Sequence, residues 1–103
     1  MGWNSNDIPD QHGKVAVITG ANSGLGFEAS RELARKGATV VMAARSMEKG
    51  QAAVDRITAE IPGAAIELRQ LDLGSLDSVR AFAAQVREEH ERVDILLNNA
   101  GLM

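Results

Sequence analysis

The stretch TGANSGLG, Thr19 to Gly26, places glycine at positions 20, 24 and 26. It follows an apolar run and precedes a segment that reads as helix. Glycine is a poor helix former, so its use here points to a backbone that must turn sharply and stay bare. Gly20 permits dihedral angles that a Cβ would forbid. Gly24 removes a side chain where a ligand would approach the helix start, and Gly26 brings the helix close to the strand. The first turn of such a helix offers unpaired N–H groups and the positive end of its dipole, which suits a pyrophosphate. The spacing is G-x-x-x-G-x-G, and no Gly-Lys-Ser/Thr follows, so the loop is not a P-loop. Alone, it also fits a plain turn between strand and helix.

A second group with chemical capacity lies about 20 residues further on, where a dinucleotide-binding unit reads the adenosine ribose. The chain there is Ala43-Ala44-Arg45-Ser46. An acidic residue would bind the ribose hydroxyls of NAD, and none is present. Arg45 could meet a 2′-phosphate with its planar fork, and Ser46 could donate a hydroxyl. Together with the glycine loop this favours NADP(H) over NAD(H). By itself, Arg45 reads first as a solvated loop residue. Asp72 could accept from an exocyclic amine or cap a following helix. The stretch NNAG, Asn98 to Gly101, pairs amides that bond locally with a glycine that admits close approach, and it also fits an ordinary strand-end turn.

These groups need elements to place them. Lys14 to Gly20 (KVAVITG) and Thr39 to Ala44 (TVVMAA) are apolar on both faces, as central strands of a parallel sheet are. Ile66 to Leu71 (IELRQL) alternates and predicts a more exposed strand, such as an edge. Val93 to Leu97 (VDILL) is the fourth candidate. Helical stripes fall between them. The first runs through Leu25, Ala29 and Leu33, with Gly37 as a stop. The second runs through Val54, Ile57 and Ile61, stopped by Pro62-Gly63. The third runs through Leu76, Val79, Ala83, Val86 and His90, with Ser75 as N-cap. The order β-α-β-α-β-α-β predicts an α/β fold of parallel units with right-handed crossovers. Met1 to Gly13 reads as a loosely held polar leader, and residues 14–103 as one nucleotide-binding domain.

Composition narrows the classes. The 103 residues suffice for one domain, with 45% hydrophobic and 24% charged residues. A net charge of −3 gives no bulk support for nucleic-acid or anionic-membrane binding. The absence of cysteine excludes disulfides and thiolate metal sites, and fits a reducing compartment; a cytoplasmic location is the expectation. No apolar run approaches the roughly 20 residues of a membrane span, and the polar start is no signal peptide.

TGANSGLG, then AARS, then LDL at Leu71 to Leu73, then NNAG, resembles the short-chain dehydrogenase/reductase family. The wording TGANSGLGFEA with ARSMEKG is similar to its retinol-dehydrogenase-like and WW-domain-oxidoreductase-like branch. The resemblance implies a Rossmann-type sheet of strand order 3-2-1-4 with helices on both faces. It implies that Gly20, Asn22, Ser23, Gly24, Leu25 and Gly26 line the pyrophosphate and adenosine ribose. Arg45 and Ser46 would hold the 2′-phosphate, and Asp72 with the Leu73 backbone would meet the adenine edge. Asn99, Ala100 and Gly101 would sit beside the nicotinamide ribose, with Asn98 tying the sheet.

The family's reaction is hydride transfer at a nicotinamide, with a tyrosine moving the proton, a nearby lysine lowering its pKa and a serine orienting the carbonyl. These 103 residues contain no tyrosine, so no catalytic residue is assigned. His12, His90 and Trp3 read as surface or boundary residues, and REEHER at Arg87 to Arg92 as a solvated helix end. We expect the N-terminal, NADP(H)-binding part of a longer oxidoreductase acting on an alcohol or carbonyl. Its uncovered apolar face would be completed by a missing half, a retained C-terminal piece or partner chains, as in a homo-oligomer. The other reading is a non-catalytic nucleotide-binding or interaction module.

Overall fold

The computed structural model describes residues 13–21 and 24–98, the Asn98 side chain excepted. Its elements are β1 (Val15–Thr19), α1 (Gly24–Arg35), β2 (Thr39–Ala44), α2 (Met47–Glu60), β3 (Ile66–Gln70), α3 (Leu76–Glu89) and β4 (Ile95–Asn98). The strands form one parallel sheet in the order β3-β2-β1-β4. β1 and β2 are buried almost throughout, which is why their sequences lack alternation. Ala16 pairs with Val40 on one side and Ile95 on the other, and Val17 with Val41 and Leu96. β3 is an edge strand, as its alternation predicts, and is only partly buried.

Each strand sends alternate side chains to opposite faces. On one face Ile18, Met42 and Val40 meet Phe27, Ala29 and Leu33 of α1, and Ala53 and Ile57 of α2. On the other face Val17 and Val41 meet Val86 and Phe82 of α3. The expected division of helices between the faces is therefore observed. At the rim of the main core, Phe27 carries the Arg56 guanidinium 4.5 Å from its ring centroid, and Glu60 of α2 faces Arg31 and Arg35 of α1. Arg69 of β3 pairs with Glu89 of α3, while the His90 ring bonds Glu67 across 3.1 Å. His90 is thus a boundary residue that anchors the end of α3 to the edge strand.

The helix ends follow local rules. Ser46 and Ser75 are the N-caps of α2 and α3, their hydroxyls accepting from the N–H groups of Lys49 and Ser78. Gly37 closes α1 at φ +97, with Gly37 N–H donating to Ala34 and Ala38 N–H to Leu33, the bond pair of a Schellman motif.

Three periodic readings need correction. Leu25 and Leu76 are exposed although both continue an apolar stripe. Each lies in the first turn of its helix. Ala83 is exposed as well, and Phe82 packs on the sheet in its place. β4 begins at Ile95 rather than Val93. Asp94 fixes its start, donating its N–H to the Val15 carbonyl at 2.9 Å and accepting the Val15 N–H on Oδ2 at 2.9 Å.

The α3 face remains open beside β4. Leu96 is 69% exposed there, and an apolar groove of about 350 Å³ runs along Val17, Phe82, Val86, Val93 and Leu96. This is the surface for which the sequence predicts a further layer. On the covered face Ile57 is fully buried. Ile57→Ala in the full-length protein should cost about 2–5 kcal/mol of unfolding free energy, measured by urea denaturation.

Candidate functional site: the carboxyl edge of the sheet

All the strands run the same way, so the loops after β1, β2 and β3 emerge at one edge. Chain order reverses between β1 and β4: β2 and β3 lie on one side of β1 and β4 on the other. In an open α/β sheet the crevice for a ligand lies at such a switch point, outside the carboxyl ends of the strands. The glycine loop opens directly onto it.

Gly20 sits at φ +61 and Gly24 at φ +59, both in the left-handed region that a Cβ disfavours. A Cβ added at Gly24 would have nothing within 4 Å, so backbone conformation, not crowding by the protein, explains this glycine. Gly26 is buried, and its carbonyl accepts the Ser30 hydroxyl at 2.8 Å. Leu25 is exposed, away from the core and next to the loop.

Small residues let the three loops bond one another. Ala21 N–H donates to the Ala43 carbonyl at 3.3 Å, and Leu71 N–H to the Ala44 carbonyl at 3.0 Å. The Gln70 amide reaches the Arg45 carbonyl at 3.4 Å. Arg45 is exposed, and its guanidinium has no hydrogen bond or ion pair among the described residues. Ser46 spends an oxygen lone pair on capping α2, which leaves its O–H free to donate.

Asp72 does not cap α3; Ser75 does. Asp72 builds the turn before the cap, with Oδ1 accepting the Gly74 N–H at 2.9 Å and its own N–H donating to the Ser78 hydroxyl at 2.9 Å. Its second carboxylate oxygen stays available to an amine, and Leu73 beside it is exposed. Asn22, Ser23, Asn99, Ala100 and Gly101 lie outside the described residues. Sequence reasoning missed Gln70 and Ser78, which hold the Arg45 and Asp72 segments. A polar residue at a strand end is too common a signal to single them out.

Comparison with known proteins now decides the family. The family model for short chain dehydrogenases matches residues 14–103. The chain belongs to the short chain dehydrogenase family. It is 50% identical over 91 residues to human retinol dehydrogenase 13, covering 88% of this chain and 28% of that protein. It is 46% identical over 103 residues to a short chain dehydrogenase/reductase of Colletotrichum higginsianum, covering 97% of this chain and 26% of that one. Among solved structures, a metagenomic short-chain oxidoreductase in complex with NADP superposes with a TM-score of 0.77 at 40% identity, covering 84% of this chain and 38% of its own. Menthone neomenthol reductase from Mentha piperita gives 0.79 at 38% identity, over 84% and 31% of the respective chains. This short chain dehydrogenase sequence therefore spans less than a third of the two curated relatives.

The loop geometry carries a direct test. Gly24→Ala in the full-length protein should lose about 1–2 kcal/mol of stability from its left-handed backbone alone, with unfolding midpoints as the readout.

Proposed function

We propose that this chain forms the NADP(H)-binding part of a short-chain oxidoreductase that transfers hydride between a nicotinamide and an alcohol or carbonyl substrate. The observation that carries the reading is Arg45. It follows β2 directly, at the edge where the glycine loop opens, with its guanidinium unpaired among the described residues and no carboxylate in its place. A planar cation on a bare edge suits a 2′-phosphate, whereas an NAD-specific site needs an acceptor for the ribose hydroxyls. The relatives support the reaction class: one is named a retinol dehydrogenase, and one neighbour was solved with NADP.

On this reading Gly20, Asn22, Ser23, Gly24, Leu25 and Gly26 present backbone N–H groups and open space to the pyrophosphate and adenosine ribose. Arg45 and Ser46 hold the 2′-phosphate by a charged fork and a hydroxyl. The free Asp72 oxygen accepts from the adenine amine while the Leu73 backbone lies along the ring. Asn99, Ala100 and Gly101 flank the nicotinamide ribose. When bound, the nicotinamide supplies or accepts the hydride. The proton-transferring groups are assigned to none of these 103 residues, which hold no tyrosine.

Titration of the full-length protein with NADPH and NADH tests the assignment. Arg45→Ala should weaken NADPH by about 1.5–3 kcal/mol, the worth of a charged hydrogen bond, and leave NADH nearly unchanged. An equal loss for both cofactors would remove the 2′-phosphate role. NADPH binding without turnover of any alcohol or carbonyl by the full-length protein would favour a nucleotide-binding module instead.

A further inference from the structure

Helix α2 contains one residue that its own stability argues against. Gly50 lies in its first turns and is buried, where glycine costs about 1 kcal/mol relative to alanine. Its φ is not positive, so backbone conformation does not demand glycine. Space does. A Cβ at position 50 would fall 2.7 Å from Leu68 Cδ1 and 3.1 Å from Ala44 Cβ. Leu68 is only partly buried on the edge strand, so its methyls, at the far end of a flexible side chain, can give way. The Ala44 Cβ is fixed to the end of β2 and cannot swing at all. An added methyl therefore pushes the start of α2 away from the sheet.

The buried residues of α2 are Gly50, Ala53 and Ile57, so the side chain grows along the helix from hydrogen to methyl to butyl. The helix can lie nearest the sheet at its start, beside the carboxyl ends of the strands. Arg45 and Ser46 alone bridge Ala44 of β2 and Met47 of α2. Gly50 N–H donates to the Ser46 carbonyl at 2.9 Å, so the height of Gly50 above the sheet passes straight to the bridge. The bridge is also held by the Lys49 N–H on the Ser46 hydroxyl at 3.2 Å and by the Gln70 amide on the Arg45 carbonyl at 3.4 Å.

We infer that Gly50 is a positioning residue for the adenosine end of the site: its missing side chain seats α2 close enough to the sheet for Arg45 and Ser46 to converge on a 2′-phosphate. The inference rests on the 2′-phosphate reading of Arg45. It separates from a merely structural role because a residue that only filled space would affect both cofactors alike.

The test uses the full-length protein, with NADPH and NADH dissociation constants and the unfolding midpoint measured for each variant. Gly50→Ala should raise the NADPH constant about three- to tenfold, part of a charged hydrogen bond, with NADH changed less than about twofold. Gly50→Ala/Ala44→Gly, freed of the contact that cannot swing, should recover most of the NADPH loss; it also carries the comparison if Gly50→Ala alone does not fold. Equal losses for both cofactors, or no loss, would overturn the inference while Arg45→Ala remained NADPH-selective. If Arg45→Ala is itself unselective, the 2′-phosphate reading fails first and takes this inference with it.

Discussion

Hydrogen bonding of β1 on both of its edges is the constraint on which everything else depends. A parallel ladder leaves both faces of the central strand apolar, so helices must cover both. Each crossover helix returns the chain to the same end of the sheet. The loops after β1, β2 and β3 then have to emerge together, and the reversal of strand order beside β1 opens a crevice between them. No polar group at that edge needs to be steered there individually; the topology delivers all of them.

Close approach is the second requirement, and small residues meet it. Ala43 and Ala44 end β2 with little side chain, which allows backbone groups of the neighbouring loops to reach their carbonyls. Gly20 and Gly24 give the glycine loop its left-handed turns. These choices weaken local structure: glycine in a helix start and unpaired N–H groups both oppose folding. The core opposite, built on Ile18, Met42, Val40 and Ile57, offsets that cost. Apolar burial at the sheet centre and a bare backbone at its edge are thus two halves of one arrangement.

The sequence was most legible where a rule is local. The Ser75 cap, the Gly37 stop and the doubly apolar strands all follow from neighbours within a few residues, and the structure has them where they were expected; the Ser46 cap was not read from the sequence. It was less legible where the answer depends on what lies beneath a helix. Leu25 and Leu76 keep the period of a buried stripe and are exposed in the first turns of α1 and α3. Asp72 looked like a possible cap and proved to shape the turn before one, since Ser75 was already placed to cap. Gly50 carried no meaning in the helix pattern until Ala44 and Leu68 stood against it.

By itself, then, the sequence determined the order of elements, the parallel topology, the glycine loop and the basic residue after β2. Each is written in residues close together in the chain, where steric limits and apolar periodicity act directly. Tertiary structure alone decided which residues share the edge, that the Arg45 guanidinium stands unpaired among the described residues, and how near α2 lies to the sheet. Those facts depend on contacts such as Gly50 against Leu68 and Asp94 against Val15, between residues distant in sequence. A linear pattern carries no distance between such residues until the sheet brings them together.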